Sequence, residues 1–208
     1  MKKLSLMKTT FAILLAASML ISAKLPEGTG YHVGDKVADF KLKNVDGKMI
    51  SLAEMKDAKG FIITFTCNHC PFSVAYEDRI IALHKKYAPK GYPVVAINPN
   101  DETIVPDDSY DNMVVRAKEK NFPFVYLQDK TQDIAKAYGA QRTPHIYIVA
   151  KKGNDFVVQY IGAIDDNTDD PAAVKTKYVE NAMSDLLAGK AVSVNSTKAI
   201  GCSVKYRK

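Results

Sequence analysis

Beyond residue 23 the sequence contains no apolar run long enough to cross a membrane, no internal repeat and no low-complexity tract. This excludes a membrane-spanning segment in that part of the chain, and it excludes a repeat architecture. Cysteine is also scarce, with three residues in a chain of 208. Because three is an odd number, one thiol is left over when the other two pair.

The first 23 residues have the composition of a secretory signal peptide. Lysines precede an apolar run from Phe11 to Ile21, and two small residues follow that run. We therefore expect residues 1–23 to be cleaved during export, which places the mature protein in the periplasm or outside the cell. Residues 24–208 are enough for a single domain with its own core.

The charge distribution gives little support to nucleic-acid binding. The formal net charge is +6, but three of the positive charges belong to the predicted signal peptide. Four more lie in the last eleven residues, so the body of the domain is nearly neutral: Lys198, Lys205, Arg207 and Lys208. We expect no nucleic-acid partner, and we expect this short basic C-terminal tail to be a solvated end.

Two of the cysteines lie in the sequence Cys67-Asn68-His69-Cys70, between a predicted strand and a predicted helix. The run from Phe61 to Thr66 is β-branched and aromatic, which favours a buried strand. Apolar residues at helical spacing then continue from Phe72 to Tyr87. Cys67 is expected near the N-cap and Cys70 in the first turn, on one face and close enough for a disulfide. Because a helix N-terminus stabilises an anion, the predicted nucleophile is the Cys67 thiolate.

The rest of the chain alternates between strand and helix patterns. Strands are predicted at 37–42, 49–52, 92–98, 124–127, 146–149 and 156–161, with a turn at Asp46-Gly47 between the first two. Helices are predicted at 109–120, 131–138 and 172–187, the first of them capped by Ser109. Strands interleaved with helices around one sheet indicate an α/β domain.

With these elements placed, the chain resembles the thioredoxin superfamily, specifically the peroxiredoxin-like (redoxin) branch that carries a CxxC motif. The resemblance extends from about Gly34 to Cys202. It is carried by TCNHCPF at 66–72, AINPND at 96–101, YGAQRTPH at 138–145, YIGAIDD at 160–166 and KAIGCSVKY at 198–206. It implies a thioredoxin-like fold, in which helices flank a central mixed β-sheet, with an N-terminal β-hairpin and an inserted helix at 109–120.

The leading hypothesis is an exported thiol–disulfide oxidoreductase. Cys67 would attack a substrate disulfide and Cys70 would resolve the mixed disulfide. The resemblance implies a cis peptide between Thr143 and Pro144 that faces the cysteines and holds the substrate backbone. His69 is expected to favour the thiolate. The expected partners are protein disulfides or dithiols, or a peroxide, together with an upstream redox protein; we expect no cofactor and no metal.

Two positions depart from the thioredoxin pattern. Thioredoxin places a tryptophan before its first cysteine, whereas this chain has Thr66 there and no tryptophan at all. Thioredoxin also has a buried acid in the preceding strand that helps to deprotonate the second cysteine. This strand holds Phe61, Ile62 and Ile63 instead, so the resemblance assigns no proton acceptor on that side.

A peroxiredoxin-like thiol peroxidase is the first alternative. Peroxiredoxins carry a threonine three residues before the cysteine that attacks peroxide, and an arginine near the loop that faces it. Thr64 and Arg142 keep this arrangement around Cys67. An arginine beside a thiolate lowers the thiol pKa and hydrogen-bonds a peroxide oxygen, which would give an antioxidant activity.

A metal carrier is the second alternative. Cys67, His69 and Cys70 would hold Cu(I) or Zn(II), with His84 or His145 as a distant ligand. The remaining cysteine, Cys202, is a candidate third redox residue. It would resolve an oxidised Cys67, bond to a partner, or lie buried as a small apolar side chain.

Overall fold

The computed structural model describes residues 30–208, and the predicted signal peptide at 1–23 lies outside the described residues. Ten strands and four α-helices occur in this part of the chain. In order they are β1 (Lys36–Val37), β2 (Lys41–Asn44), β3 (Met49–Ser51), β4 (Gly60–Phe65), α1 (Pro71–Tyr87), β5 (Val94–Asn98), α2 (Tyr110–Glu119), β6 (Val125–Gln128), α3 (Asp133–Tyr138), β7 (Arg142–Thr143), β8 (His145–Lys152), β9 (Asp155–Gly162), α4 (Tyr178–Leu187) and β10 (Cys202–Ser203). None of these helices combines the length and the apolarity that crossing a membrane requires.

Eight of the strands form one mixed sheet in the order β1-β9-β8-β4-β5-β6-β2-β3. In its centre β4 runs parallel to β5 and antiparallel to β8, while β5 runs parallel to β6. The predicted hairpin is present as β2 and β3, and its turn places Gly47 at a φ of +85°. The remaining strands, β7 and β10, form a separate two-stranded ribbon.

The sheet is curled, and this explains why the predicted strand at 37–42 is in fact two strands. β1 pairs with β9 at one edge of the sheet, whereas β2 pairs with β3 and β6 near the other edge. Only residues 38–40 connect β1 to β2, a span of at most about 14 Å between Val37 and Lys41. The two edges must therefore approach each other, and the chain crosses from one to the other.

Strand β4 lies in the middle of the core and leads directly into the cysteine motif. All six of its residues are buried, and successive side chains point to opposite faces of the sheet. Ile62 packs in the cluster that contains the α1 residues Tyr76 and Ile80. Phe61 and Phe65 pack in the second cluster, on the other face, with Tyr138 among others. Helix α1 then begins with Pro71, a residue favoured at the first helical position.

The predicted helix at 172–187 begins later than expected, at Tyr178. Asp170 caps a short 3₁₀ turn, Pro171–Ala173, by accepting a hydrogen bond from Ala172 N at 2.8 Å. Asp166 fixes the two residues Lys175 and Thr176 just before α4. Its side chain accepts a hydrogen bond from Lys175 N, and its own N–H donates to Thr176 O. These contacts hold the backbone out of the helical conformation before α4.

The expectation that the basic tail is a solvated end is wrong. Val204 is buried, and the Tyr206 hydroxyl donates to Ala140 O at 2.6 Å. The backbone of Lys205 bonds to polar groups of the loop that follows β5, and Arg207 forms an ion pair with Asp101. The tail is held because polar groups around it form hydrogen bonds with its backbone, and because the charge of Arg207 is paired with the Asp101 carboxylate.

Candidate active site

The cysteine pair lies in the turn between β4 and α1. Cys70 is the N-cap residue of α1, with extended backbone angles of φ −66° and ψ 122°. Cys67 lies three residues earlier, so both cysteines precede the helix, rather than Cys67 at the N-cap and Cys70 in the first turn. The free N–H groups of the helix terminus therefore act most directly on Cys70.

Both thiols contact the same residue of the facing loop. Cys67 Sγ lies 3.3 Å from the Thr143 hydroxyl, and Cys70 Sγ donates to Thr143 O at 3.2 Å. The peptide between Thr143 and Pro144 is cis, as the resemblance implies. Cys67 retains 3% exposure and Cys70 none, so the loop closes over a buried pair of thiols.

The two thiols of the motif influence each other's ionisation. Interaction with the Cys67 thiol is the main cause that lowers the pKa of Cys70 to about 4, and the Cys202 thiol adds to it. The pKa of Cys67 is raised by the neighbouring Cys70 thiol, by burial and by the nearby Asp108 carboxylate. The hydrogen bond that Cys70 donates to Thr143 O acts in the opposite sense and favours its thiol form, so the thiolate expected at Cys67 stays a prediction.

Asp108 is a site residue that the sequence did not indicate. Its side chain is completely buried and lies at the end of a 3₁₀ turn that precedes α2. One oxygen accepts from the backbone N–H of Asn68 at 2.7 Å and of His69 at 3.2 Å. The other oxygen lies 2.5 Å from His69 Nδ1 and accepts from Asn100 Nδ2 at 2.7 Å. A buried carboxylate thus holds the CxxC turn and orients the histidine within it.

Cys67 and its neighbours also have the spacing of a metal-binding group. The ligand atoms of Cys67, His69 and Asp108 all lie within 4.8 Å of one another. Neither of the distant histidines considered from the sequence belongs to this group. His84 lies near the far end of α1, and both rings accept backbone N–H groups elsewhere, from Val94 for His84 and from Gln141 for His145. Because Asp108 already accepts four hydrogen bonds, an ion would have to displace some of them.

The two peroxidase candidates are not joined to Cys67 by hydrogen bonds. The Thr64 hydroxyl is buried on β4 without a hydrogen-bond partner. Arg142 is exposed, and its guanidinium donates to Gly201 O at 3.4 Å. The contacts of Cys67 are instead with the hydroxyls of Ser73 and Thr143.

The third cysteine lies against the same site. Strand β10 pairs antiparallel with β7, with Cys202 opposite Thr143 and Ser203 opposite Arg142. Burial is the main cause that raises the pKa of Cys202 to about 11, and the neighbouring Cys70 thiol adds to it. The fold therefore brings all three cysteines together, although the sequence separates Cys202 from the motif by more than half of the chain.

Several known proteins are similar to this chain in sequence or in structure. The chain is 26% identical to the thiol-disulfide oxidoreductase ResA of Oceanobacillus iheyensis over 147 residues, which cover 68% of this chain and 72% of that protein. An uncharacterized conserved protein of Geobacillus kaustophilus has a similar structure, with a TM-score of 0.78 and 38% identity over 85% of this chain and 93% of its own. A hypothetical protein of Sinorhizobium meliloti also gives a TM-score of 0.78, with 31% identity over 86% of this chain and 96% of its own.

The sequence profile of the AhpC/TSA family covers most of the sheet and the whole cysteine motif. It matches residues 33–161, which is more than half of the chain. The predictions of a thioredoxin-like α/β fold and of a peroxiredoxin-like branch are confirmed by this match and by the structural neighbours. With the match extending over residues 33–161, the chain belongs to the AhpC/TSA family of thioredoxin-like oxidoreductases.

Proposed function

We propose that this protein is a thiol–disulfide oxidoreductase in which Cys67 and Cys70 form the redox pair. The observation that supports this most directly is that both thiols of the motif contact Thr143 of the cis-proline loop, Cys67 at its hydroxyl and Cys70 at its backbone oxygen. Such a pair gains little as a structural crosslink, because a disulfide across so short a loop barely constrains the unfolded chain. Exchange with another disulfide is the chemistry that this arrangement favours.

Cys67 is the attacking residue in this proposal. It keeps slight exposure and lines a small cleft together with Ile80, Phe122, Phe124 and Tyr126. Cys70 has no exposed surface. A substrate disulfide therefore reaches Cys67 first, through a cleft that these apolar side chains line together with Asn68 and Glu77.

The reaction begins with transfer of the Cys67 proton to the neighbouring Cys70. The Cys67 thiolate then attacks one sulfur of the substrate disulfide while the other sulfur leaves as a thiolate. Cys70 then gives its proton to the substrate thiolate that has left and attacks Cys67 in the mixed disulfide, which releases the second substrate thiolate. The substrate gains two electrons and the Cys67–Cys70 disulfide forms; the reverse sequence oxidises a substrate dithiol.

His69 has a positioning role in this scheme. Asp108 holds its ring at Nδ1, within 4.8 Å of the Cys67 sulfur. From that position His69 stabilises negative charge at Cys67 as the proton moves to Cys70. Asp108 acts through His69 and through the backbone of the turn.

The decisive experiment is the turnover of a protein disulfide such as insulin, with dithiothreitol as reductant. The variants Cys67→Ser and Cys70→Ser should each abolish turnover, and each should fold with the wild-type circular dichroism spectrum. Retained turnover in a folded Cys67→Ser variant would contradict the mechanism. The reduction potential of the pair then assigns the direction of electron flow. A value near about −270 mV indicates a reductase, and one near about −120 mV indicates an oxidant.

Membership of the AhpC/TSA family also favours a thiol peroxidase as a second candidate. That function requires peroxide to convert Cys67 to a sulfenic acid, with the arginine near the site as a hydrogen-bond donor to the peroxide. It predicts rapid labelling of Cys67 by a sulfenic-acid probe after exposure to hydrogen peroxide. It also predicts that Arg142→Ala slows that step while leaving insulin reduction measurable.

We propose that the protein acts outside the cytoplasm, in the periplasm or as a secreted protein. The support is the lysine-rich start and the apolar run of residues 1–23. Exchange between disulfides is a natural task in an oxidising compartment. The mass of the protein recovered from the cell envelope tests this, because cleavage at the predicted site gives a chain that begins at Lys24.

A further inference from the structure

The edge of the cis-proline loop is already occupied by a strand of this chain. In the proposed function, an extended substrate would pair with the backbone of the residue before the proline. Strand β10 makes that pairing here, because Cys202 lies opposite Thr143 in an antiparallel register. A cysteine of the chain itself therefore stands where the proposed function would place the cysteine of a substrate.

The approach of this strand to the loop depends on Gly201. A Cβ atom built on Gly201 would lie 2.2 Å from Thr143 O and 2.7 Å from Thr143 C. Such distances do not occur between real atoms, so any larger residue would push the segment away from the cis-proline loop. The glycine before Cys202 is thus required for the close contact.

The segment is anchored on both sides of Cys202. Arg142 donates to Gly201 O, and Val204 N donates to Gln141 O at 3.0 Å. Asn100 accepts from Lys205 N at 2.8 Å and donates to Asp108, so one buried amide links the C-terminal segment to the carboxylate that holds the CxxC turn. Cys202 is therefore held in place rather than carried on a free end.

The sulfur of Cys202 meets the redox pair at Cys70. Cys202 lies opposite Thr143 in the two-stranded ribbon, and Cys70 Sγ donates to the backbone oxygen of the same threonine at 3.2 Å, so both cysteines lie against Thr143. Cys67 lines the cleft on the other side of the pair. The two members of the pair thus face different neighbours: Cys67 faces the cleft and Cys70 faces the C-terminal strand.

We propose that Cys202 is a third catalytic cysteine, and that the disulfide of this protein moves between Cys67–Cys70 and Cys70–Cys202. This rests on the proposed function. The Cys202 thiolate attacks the Cys70 sulfur, the Cys67–Cys70 bond breaks, and Cys67 leaves as a thiolate that takes up the proton lost by Cys202. One disulfide and one thiol are present before and after the step, so no further oxidant or reductant is needed.

This step returns Cys67 to the thiol state after each substrate disulfide, and the protein must then be reduced before it can reduce another. A substrate disulfide oxidises the pair through Cys67, and the internal exchange passes the disulfide to Cys70–Cys202 and returns Cys67 to the thiol state. An external dithiol then reduces the Cys70–Cys202 bond at the C-terminal strand. The same strand excludes an extended substrate from the cis-proline loop while it is docked there.

The test is the disulfide pattern of the variant Cys67→Ser after equilibration with oxidised and reduced glutathione. Tryptic cleavage places Cys70 in the peptide 60–79 and Cys202 in the peptide 199–205. We expect the variant to lose two hydrogens by mass and to yield these two peptides joined by a disulfide. The oxidation proceeds by two exchanges with glutathione disulfide and releases two molecules of glutathione.

A docking variant makes the result specific to the strand. Adding Gly201→Ala to the Cys67→Ser chain should lower the equilibrium constant for the joined peptides by about tenfold or more, because the sulfurs are no longer held together. Gly153→Ala is the control for a glycine substitution away from the site: a Cβ there meets no atom within 4 Å, and its cost is the local one of placing alanine at a φ of +62° in an exposed turn. Tyr206→Phe is a milder docking variant, which removes the hydroxyl that bonds to Ala140 O.

The outcomes separate this inference from the proposed function. If Cys67→Ser gives only separate glutathione adducts on the two peptides, while Cys202→Ser still forms Cys67–Cys70, the third cysteine takes no part and the inference is overturned. If Cys202→Ser forms no Cys67–Cys70 disulfide, the proposed function itself is wrong. An equal yield of joined peptides in the Gly201→Ala and Gly153→Ala chains would also overturn the role assigned to the docked strand.

Discussion

Replacing Asp108 with asparagine removes a negative charge beside the cysteine pair and leaves the side chain almost the same size. The Cys67 sulfur and an Asp108 oxygen lie within 4.8 Å of each other. At an effective dielectric constant of about 20, two unit charges at this distance repel by about 3 kcal/mol. The negative charge of the reduced pair is shared between Cys67 and Cys70, so part of this repulsion is released when the carboxylate becomes an amide.

The expected result is a more oxidising disulfide. Because the variant stabilises the reduced pair, the potential should move to more positive values by about 20 to 60 mV, which corresponds to about 1 to 3 kcal/mol for two electrons. The assay is equilibration in glutathione buffers at constant pH, with the oxidised fraction read by mass spectrometry. Cys202→Ser is placed in both chains so that only the Cys67–Cys70 disulfide titrates.

Asp107→Asn is the matched control. It removes one negative charge from the residue next to Asp108, and the Asp107 side chain is exposed. We expect its potential to lie within a few millivolts of the parent, since exposed charges are screened by water and salt. Asp108→Asn should also lower the free energy of unfolding by about 2 to 3 kcal/mol through weaker hydrogen bonds to the turn. A loss of stability without a positive shift in potential would refute the electrostatic argument and leave Asp108 a purely structural residue.

Three further predictions concern ionisation and buried charge. Because the pKa of Cys70 is lowered to about 4, the thiolate absorbance of the reduced protein near 240 nm should rise through pH 4, and Cys70→Ser should abolish that step. Burial lowers the pKa of His145 to about 4, so the unfolded chain takes up a proton first as the pH falls. The contribution of His145 to the free energy of unfolding is therefore fully present above pH 6.5, and roughly 3 kcal/mol of it is lost as the pH falls to 4. In urea titrations, the unfolding free energy of His145→Gln should lack this dependence on pH. Glu77 is buried and bonds to Arg116 through two oxygens at 2.7 Å, so Glu77→Gln should cost about 3 kcal/mol in urea unfolding, while the exposed Glu119→Gln should cost less than about 1 kcal/mol.

The strand–CxxC–helix unit was predictable because its signals are local. The apolar, β-branched run of β4 and the helical spacing of α1 lie next to each other in the sequence. The first pattern is typical of a buried strand and the second of a helix. The hairpin at Gly47 and the cap at Ser109 are equally local signals. Such features need no knowledge of the rest of the fold, and they placed the motif within a few residues.

The features that the sequence did not predict depend on contacts between distant segments. The strand pattern at 37–42 is continuous, and only the curl of the sheet divides it between two edges. Strands β7 and β10 have two residues each, too short to leave a periodic pattern. The glycine before Cys202 was the one available sign of a close backbone approach, and it identifies no partner by itself.

Asp108 shows the same limit at the site. The loop before α2 holds Asp101, Asp107 and Asp108, and composition marks all three as loop residues. One is completely buried against the CxxC turn, one is exposed, and one pairs with the C-terminal arginine. The path of the loop across the end of the sheet decides the role of each carboxylate. The local sequence does not predict that path.

The two segments that the sequence suggested as peripheral converge on the redox pair. The resemblance left no acid in β4, and the segment before the inserted helix supplies one: Asp108, which faces Cys67. The basic tail was expected to be solvated, and it brings Cys202 to Cys70. Asn100 bonds to Asp108 and to the tail at once, so a change in the docking of the C-terminal strand must alter the hydrogen bonds of the carboxylate beside Cys67. The proposed role of Cys202 therefore predicts that undocking the C-terminal strand changes the reduction potential of the Cys67–Cys70 pair by way of Asn100 and Asp108.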